Sequence, residues 1–132
     1  MGKSVDKKIP EIYCALSVIF DRNVDVEQIT ESLKKSGISE MKVQKPKCEP
    51  ILSLDVAIVH YEAFWYLDDA LTKMFSKIHS VSRLKEIVYD FGGTFCVDIA
   101  FRHYGKYPAL EFSGENMETI RFLEADISID AY

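Results

Sequence analysis

TFCVDIAFRH, residues 94–103, alternates apolar and other side chains along its whole length. Phe95, Val97, Ile99 and Phe101 share one face of an extended chain, because successive side chains point to opposite sides of a strand. This alternation is typical of an antiparallel sheet with one face on the core and the other towards water. The stretch therefore predicts a half-buried strand and indicates a fold built on such a sheet.

The residues that follow, 104–132, predict a second short strand, a helix and a closing strand. Tyr104-Gly105-Lys106 predicts a turn into a second short strand, residues 107–112, as a hairpin partner of the first. Ser113 can cap a helix at residues 114–123, since its hydroxyl accepts from free N–H groups of the first turn. Ile127 and Ile129 are predicted to face the core from a closing strand.

The residues that precede it predict the order β-α-β-β-α-β. A buried strand at 12–20 is followed by a helix that Asp25 caps and Gly37 ends. A weak edge strand at 38–45 then leads to a strand at 51–60 and a helix at 67–78. Ser80 or Ser82 can cap a continuation of that helix over residues 83–91. In the strand at 51–60, four side chains are predicted to share the core face: Leu52, Leu54, Val56 and Ile58.

This order predicts an α+β fold. The first six elements match the ferredoxin-like βαββαβ pattern, here extended by a hairpin strand, a third helix and a C-terminal strand. The expected architecture is a mostly antiparallel sheet with helices on one face.

Length and composition favour one domain with a flexible tail. The 132 residues are 48% hydrophobic, so residues 12–132 are predicted to form a single α+β domain after a tail at 1–11. The net charge of −5 disfavours nucleic-acid binding, and no apolar run is long enough to cross a membrane. Three widely spaced cysteines indicate reduced thiols and a cytoplasmic protein.

Candidate binding residues fall in two groups. The outward face of the predicted sheet collects Asp55, Asp98, Arg102 and Asp130, which could do acid–base work, hold a cation or simply form a solvated surface. Tyr61 and Trp65 belong to an aromatic cluster at residues 61–66, which either binds a partner or plugs one end of the core. No catalytic, metal or cofactor motif is recognised, so no residue is assigned to those roles and no cofactor is expected.

Four segments carry a resemblance to a known family: VDVEQITESL (24–33), LDDALTKMFSKI (67–78), CVDIAF (96–101) and the ending ISIDAY (127–132). On these segments the chain resembles the bacterial domain of unknown function 4279 family, which typically closes on an aspartate two residues before an aromatic, as Asp130 and Tyr132 do here. The family tends to place a tryptophan on the strand that reads LSLDVAI in this chain. The resemblance implies no established activity, and it implies an immunity-like role as one option, in which a toxin is neutralised by binding.

The sequence therefore favours a non-enzymatic protein-binding module with an acidic or aromatic surface, and the partner could be a toxin. The alternative is a small-molecule-binding or enzymatic domain that uses the polar sheet face. A further option is a homodimer formed through the edge strand at 41–45 or through that polar face.

Overall fold

Within the residues that the structure describes, a five-stranded sheet carries four helices. The computed structural model describes residues 8–20, 24–38, 40–44 and 52–131, so most of the predicted tail, the segment that joins the predicted strands at 38–45 and 51–60, and Tyr132 lie outside the described residues. The elements are β1 (Glu11–Phe20), α1 (Val26–Lys35), β2 (Lys42–Gln44), β3 (Leu52–Ala63), α2 (Leu67–Ser76), α3 (Val81–Asp90), β4 (Thr94–Arg102), α4 (Gly114–Phe122) and β5 (Asp126–Ala131).

The strands lie in the order β2-β3-β1-β4-β5. All neighbouring pairs are antiparallel except β4 and β5, which are parallel. The α+β class and the mostly antiparallel sheet are thus confirmed. The short strand β2 lies at one edge, as its lysines predicted, and β5 lies at the other.

One core joins the sheet to all four helices. Its largest side chains come from the inward positions of the three central strands and from the apolar stripes of the helices, including Phe20, Phe95, Leu33, Leu71 and Leu84. The opposite face of the sheet carries the side chains that point away from the helices, and it is called the outward face below.

Helix starts follow the local chemistry of the sequence. Asp25 accepts a hydrogen bond from the Gln28 N–H, and Ser113 accepts one from the Asn116 N–H. Ser80, and not Ser82, caps α3 by accepting from the Arg83 N–H. The predicted helical stretch 67–91 is therefore divided into α2 and α3. The sequence predicts Ser80 or Ser82 as the cap between them, and the structure shows that it is Ser80.

The predicted hairpin strand at 107–112 is wrong. β1 and β5 occupy the two edges of β4, so no edge of β4 remains for it. Ala109 instead bridges to the start of α2, accepting from the Leu67 N–H at 2.9 Å and donating to the Trp65 carbonyl at 2.7 Å. Pro108 also lacks the N–H that a ladder needs.

The inward positions of β3 differ from the simple alternation. Leu16 pairs with Ala57, but Ser17 pairs with Asp55, so Val56 is an extra residue at a β-bulge. The bulge moves Ala57 to the core face and leaves Ile58 on the outward face. The prediction for Ile58 is therefore wrong, whereas Leu54 and Val56 are buried as expected.

The closing strand β5 exists, but its isoleucines do not complete the core. Ile127 and Ile129 pair with Val97 and Ile99 on the helix-covered face. They remain 45% and 44% exposed, because among the described strands β5 is an edge strand that pairs with β4 alone. Their predicted burial is wrong, and the sheet has an accessible edge.

Candidate functional site

Ser17 lies at the centre of the outward sheet face between two carboxylates. Its Oγ is 2.7 Å from Asp55 Oδ1 on β3 and 2.7 Å from Asp98 Oδ2 on β4. Ser17 is 2% exposed and Asp55 is 3% exposed, although both are on the outward face. Three adjacent strands thus bring together two acidic residues that are 43 positions apart in the sequence.

The register of the sheet explains this arrangement. The bulge at Val56 shifts β3 by one residue and places Asp55 opposite Ser17. On the other side, Ser17 pairs with Cys96, and Asp98 follows two residues later on the same face of β4. Because side chains two apart on a strand share a face, the Asp98 carboxylate can reach the same hydroxyl.

A concave cleft opens above these residues. It has a volume of about 300 Å³ and runs from β3 across β1 and β4 to β5. Asp130 on β5 reaches its rim, as does Ser128. Among the described residues, its lining includes Tyr13, Ser17, Ser53, Asp55, Tyr61, Asp98, Ile99, Ala100, Ser128 and Asp130.

Two tyrosines border the cleft. A second bulge lies between the pairs Ile12–Glu62 and Cys14–Val59, which leaves both His60 and Tyr61 opposite Tyr13. Tyr61 has a φ of 43°, a conformation that non-glycine residues rarely adopt. The rings of Tyr13 and Tyr61 approach to 5.5 Å between centroids. Bulges re-aim side chains, and this one turns Tyr61 to the cleft.

Arg102 caps the Tyr61 ring rather than entering the cleft. Its guanidinium carbon lies 3.8 Å from the ring centroid, and Nη1 lies 3.8 Å from Glu11 Oε1. This contact is a cation–π pair at the rim. One face of the Tyr61 ring therefore holds a planar cation, the guanidinium group of Arg102.

The electrostatics of the cleft are negative. Burial, reinforced by the Asp55 and Asp98 carboxylates, raises the pKa of Tyr13 to about 12, so its phenol keeps its proton at neutral pH. Burial also raises the pKa of Cys96, whose Sγ lies 3.4 Å from Asp98 Oδ1, to about 12. The Ser17 hydroxyl has a single proton for two acceptors. The lining thus has more capacity to accept hydrogen bonds than to donate them.

The predicted site residues are partly brought together. Asp55, Asp98, Asp130 and Tyr61 line one cleft, and Arg102 lies beside it. Trp65 does not: it is 42% exposed at the start of α2, with the Lys106 Nζ 6.0 Å from its ring. Of the remaining aromatic cluster, Phe64 packs against the core and Tyr66 is exposed.

Tyr13 is a cleft residue that the sequence reasoning missed. It occupies an outward position of β1, and its signal was the alternation Tyr13, Ala15, Ser17 on the face opposite Cys14, Leu16 and Val18. The composition of residues 12–20 predicts a largely buried strand, and that prediction does not single out Tyr13 as an outward residue.

A second concavity lies between α2, α3 and α4. It has a volume of about 780 Å³. Its sides combine Phe75 and Phe122 with Glu115 and Glu118. At one end Asn116, 6% exposed, donates to Asp68 Oδ1 at 2.8 Å and to Thr72 Oγ1 at 3.0 Å. These bonds join α2 to α4 and satisfy the buried amide of Asn116.

No group of three His, Cys, Asp or Glu side chains within the described residues is arranged to hold a metal ion. None of the described helices is long and apolar enough to span a membrane. Comparisons of the chain with protein-family models, with curated proteins and with solved structures gave no match.

Proposed function

We propose that this chain is a non-enzymatic protein-binding module whose outward sheet face receives a positively charged side chain of its partner. The observation that carries the proposal is the cleft of about 300 Å³, whose lining includes Asp98 and Asp130 together with Tyr13 and Tyr61. Carboxylates accept charge-assisted hydrogen bonds from ammonium and guanidinium groups.

Charge and surface support a protein partner. The chain carries a net charge of −5, which attracts basic partners and speeds their association. The cleft continues into the exposed strand β5, so a large partner can contact both at once. Neutralisation of a toxin with a basic surface, as the family resemblance implies, is one form of this proposal.

The cleft can be tested with single cations. The isotope-labelled protein is titrated with N-acetyl-arginine amide or N-acetyl-lysine amide and followed by NMR spectroscopy. Each ligand is expected to shift the backbone amide resonances of Ser17, Asp98 and Ala100. N-acetyl-glutamine amide, which has similar length and no charge, is the control ligand. Equal shifts with the neutral ligand would contradict the electrostatic basis of the proposal.

The partner can be tested by pull-down from the native host and mass spectrometry. The double variant Asp98→Asn with Asp130→Asn is expected to lose a partner that the unmodified chain recovers. Asp69→Asn removes one charge from an exposed position in the first turn of α2 and serves as the matched control. Retention by the cleft variant, or repeated failure to recover any protein, counts against the proposal.

A small-molecule ligand is the second candidate, and the concavity of the cleft favours it. Its volume lies at the lower end of the range for ligand pockets, which is about 300–1,000 Å³. A primary amine or guanidine of a few heavy atoms fits this space. A saturable rise in melting temperature with such a ligand, together with no recovered protein partner, would favour this function over the first.

We infer for the fold that β1 to β4 with α1, α2 and α3 form a ferredoxin-like core. The order β2-β3-β1-β4, antiparallel throughout, supports this inference because a split βαβ arrangement produces it. Membership of the domain of unknown function 4279 family and homodimerisation through β2 or the cleft face stay predictions. Light scattering on purified protein checks the second of these.

A further inference from the structure

The outer edge of β5 is open in the part of the chain that the structure describes. Residues 126–131 pair with β4 on one side, and no described strand pairs with them on the other. All six residues are exposed. An edge of this kind presents main-chain N–H and C=O groups that another strand can bond.

The two sides of β5 differ in chemistry. Ile127 and Ile129 share the helix-covered side of the sheet and are 45% and 44% exposed. Asp126, Ser128 and Asp130 lie on the opposite side, where the cleft is. A strand added to this edge would therefore meet apolar side chains on one side and carboxylates on the other.

A second copy of β5 does not suit this edge in the register centred on Ser128. Antiparallel pairing of two copies about Ser128 brings Asp126 of each copy opposite Asp130 of the other. Like charges directly opposite each other destabilise a strand pair. An occupant with positive charges at those positions instead forms favourable opposite-charge pairs with Asp126 and Asp130.

We propose that the outer edge of β5 binds an extended segment of a partner by strand addition, and that this segment alternates basic and apolar residues. Its basic side chains lie beside Asp126 and Asp130, and its apolar side chains cover Ile127 and Ile129. The main chain supplies affinity and the alternation supplies specificity. The inference rests on the proposed protein-binding function and names the partner segment.

Synthetic peptides test the side-chain part of this proposal. Fluorescein-labelled KVKVKVK amide, titrated with the full chain at low salt, is expected to bind. EVEVEVE amide, with the charges reversed, is expected to bind about tenfold more weakly, because two opposite-charge pairs become two like-charge pairs. Asp126→Asn with Asp130→Asn is expected to reduce this difference, while Asp69→Asn is expected to leave it unchanged.

N-methylation tests the main-chain part. Only alternate N–H groups of an added strand face the edge. Methylation of the lysine nitrogens or of the intervening nitrogens is therefore expected to abolish binding for one set and to preserve it for the other. Equal binding of both methylated peptides, equal binding of the charge-reversed peptide, or no binding of any peptide overturns the proposal.

The probes separate this inference from the proposed function. N-acetyl-arginine amide reports on the cleft and has no segment to pair with β5. If the amino-acid amide binds and no peptide does, the cleft function stands and strand addition is wrong. If the peptide binds through one set of N–H groups and the amide does not, strand addition stands and the cleft is not the contact for charge.

Discussion

Replacement of Ser17 by alanine is expected to destabilise the protein by about 2 kcal/mol. The hydroxyl bonds Asp55 and Asp98 at 2.7 Å each, but it has one proton and can donate to one carboxylate at a time. A hydrogen bond to a charged group contributes about 1.5–3 kcal/mol. Ser17 is 2% exposed, so water does not replace the lost donor without rearrangement of the strand.

The measurement is the free energy of unfolding in urea at pH 7, with the melting temperature as a second readout. For a domain of this size the change corresponds to roughly 6–10 °C. Ser128→Ala removes a hydroxyl from the same sheet face at an exposed position of β5, and it is expected to stay within about 0.5 kcal/mol of the parent.

A mutant cycle locates the effect. If hydrogen bonding to the charged carboxylates is the cause, Ser17→Ala should cost about 1 kcal/mol less in a background with both Asp55→Asn and Asp98→Asn than in the parent, because the single proton can go to either carboxylate. The reasoning is refuted if Ser17→Ala behaves like Ser128→Ala, or if its cost is the same in that background as in the parent. In either case the hydroxyl would not hold the two carboxylates in place.

Three further perturbations have outcomes that the structure specifies. Gly93→Ala is expected to lower the free energy of unfolding in urea by about 1–3 kcal/mol, because a Cβ there would lie 2.5 Å from a Phe20 ring carbon. Gly114→Ala is the control: its Cβ would meet nothing within 4 Å, so the same measurement should show no change or a slight stabilisation. Asp68→Asn is expected to cost about 1 kcal/mol at pH 7, and its difference from the parent should disappear as the pH falls below about 4. Native Cys14 is expected to resist iodoacetamide at pH 8, as followed by mass spectrometry, because burial raises its pKa from 9.0 to about 12 and lowers the thiolate fraction about a thousandfold.

The sign of the pH effect follows from the bonds that Asp68 accepts. The Ser113 N–H and the Asn116 amide hold the pKa of the carboxyl below its ordinary value of 3.8. The charged form therefore stabilises the fold above that value, and the contribution is lost as the pH falls through the folded-state pKa. Asp69→Asn, in the same helical turn, is the control and should show no comparable dependence. A difference for Asp68→Asn that persists in acid would contradict this origin.

Helix caps and the alternation of buried side chains along a strand depend on residues that are close together in the sequence. The caps Asp25 and Ser113 act within three residues of their partners, so the sequence was sufficient to place them, whereas for α3 it left Ser80 and Ser82 as alternatives. The alternation in β4 likewise predicted which side chains are buried. By contrast, the predicted strand at 107–112 had a turn before it, but its predicted partner β4 has no free edge, since β1 and β5 flank it.

The candidate site depended on information that no local pattern contains. The sequence identified the polar outward residues of each strand, but a strand order and a register are needed to bring them together. A single extra residue at the Val56 bulge places Asp55 opposite Ser17. A shift of one residue reverses every later side chain, which is why the outward position of Ile58 could not be predicted from alternation.

By itself, the sequence determined the α+β class, the starts of α1 and α4, the core residues of β4 and the acidic character of the chain. Those properties follow from periodicity, capping and charge, which act over a few residues or over the whole composition. Tertiary structure alone decided that Asp55 and Asp98 share the Ser17 hydroxyl, that Tyr61 borders their cleft, and that β5 ends the sheet with its isoleucines half exposed. These features depend on which strands become neighbours and in what register, and that choice is made by the burial of the whole core.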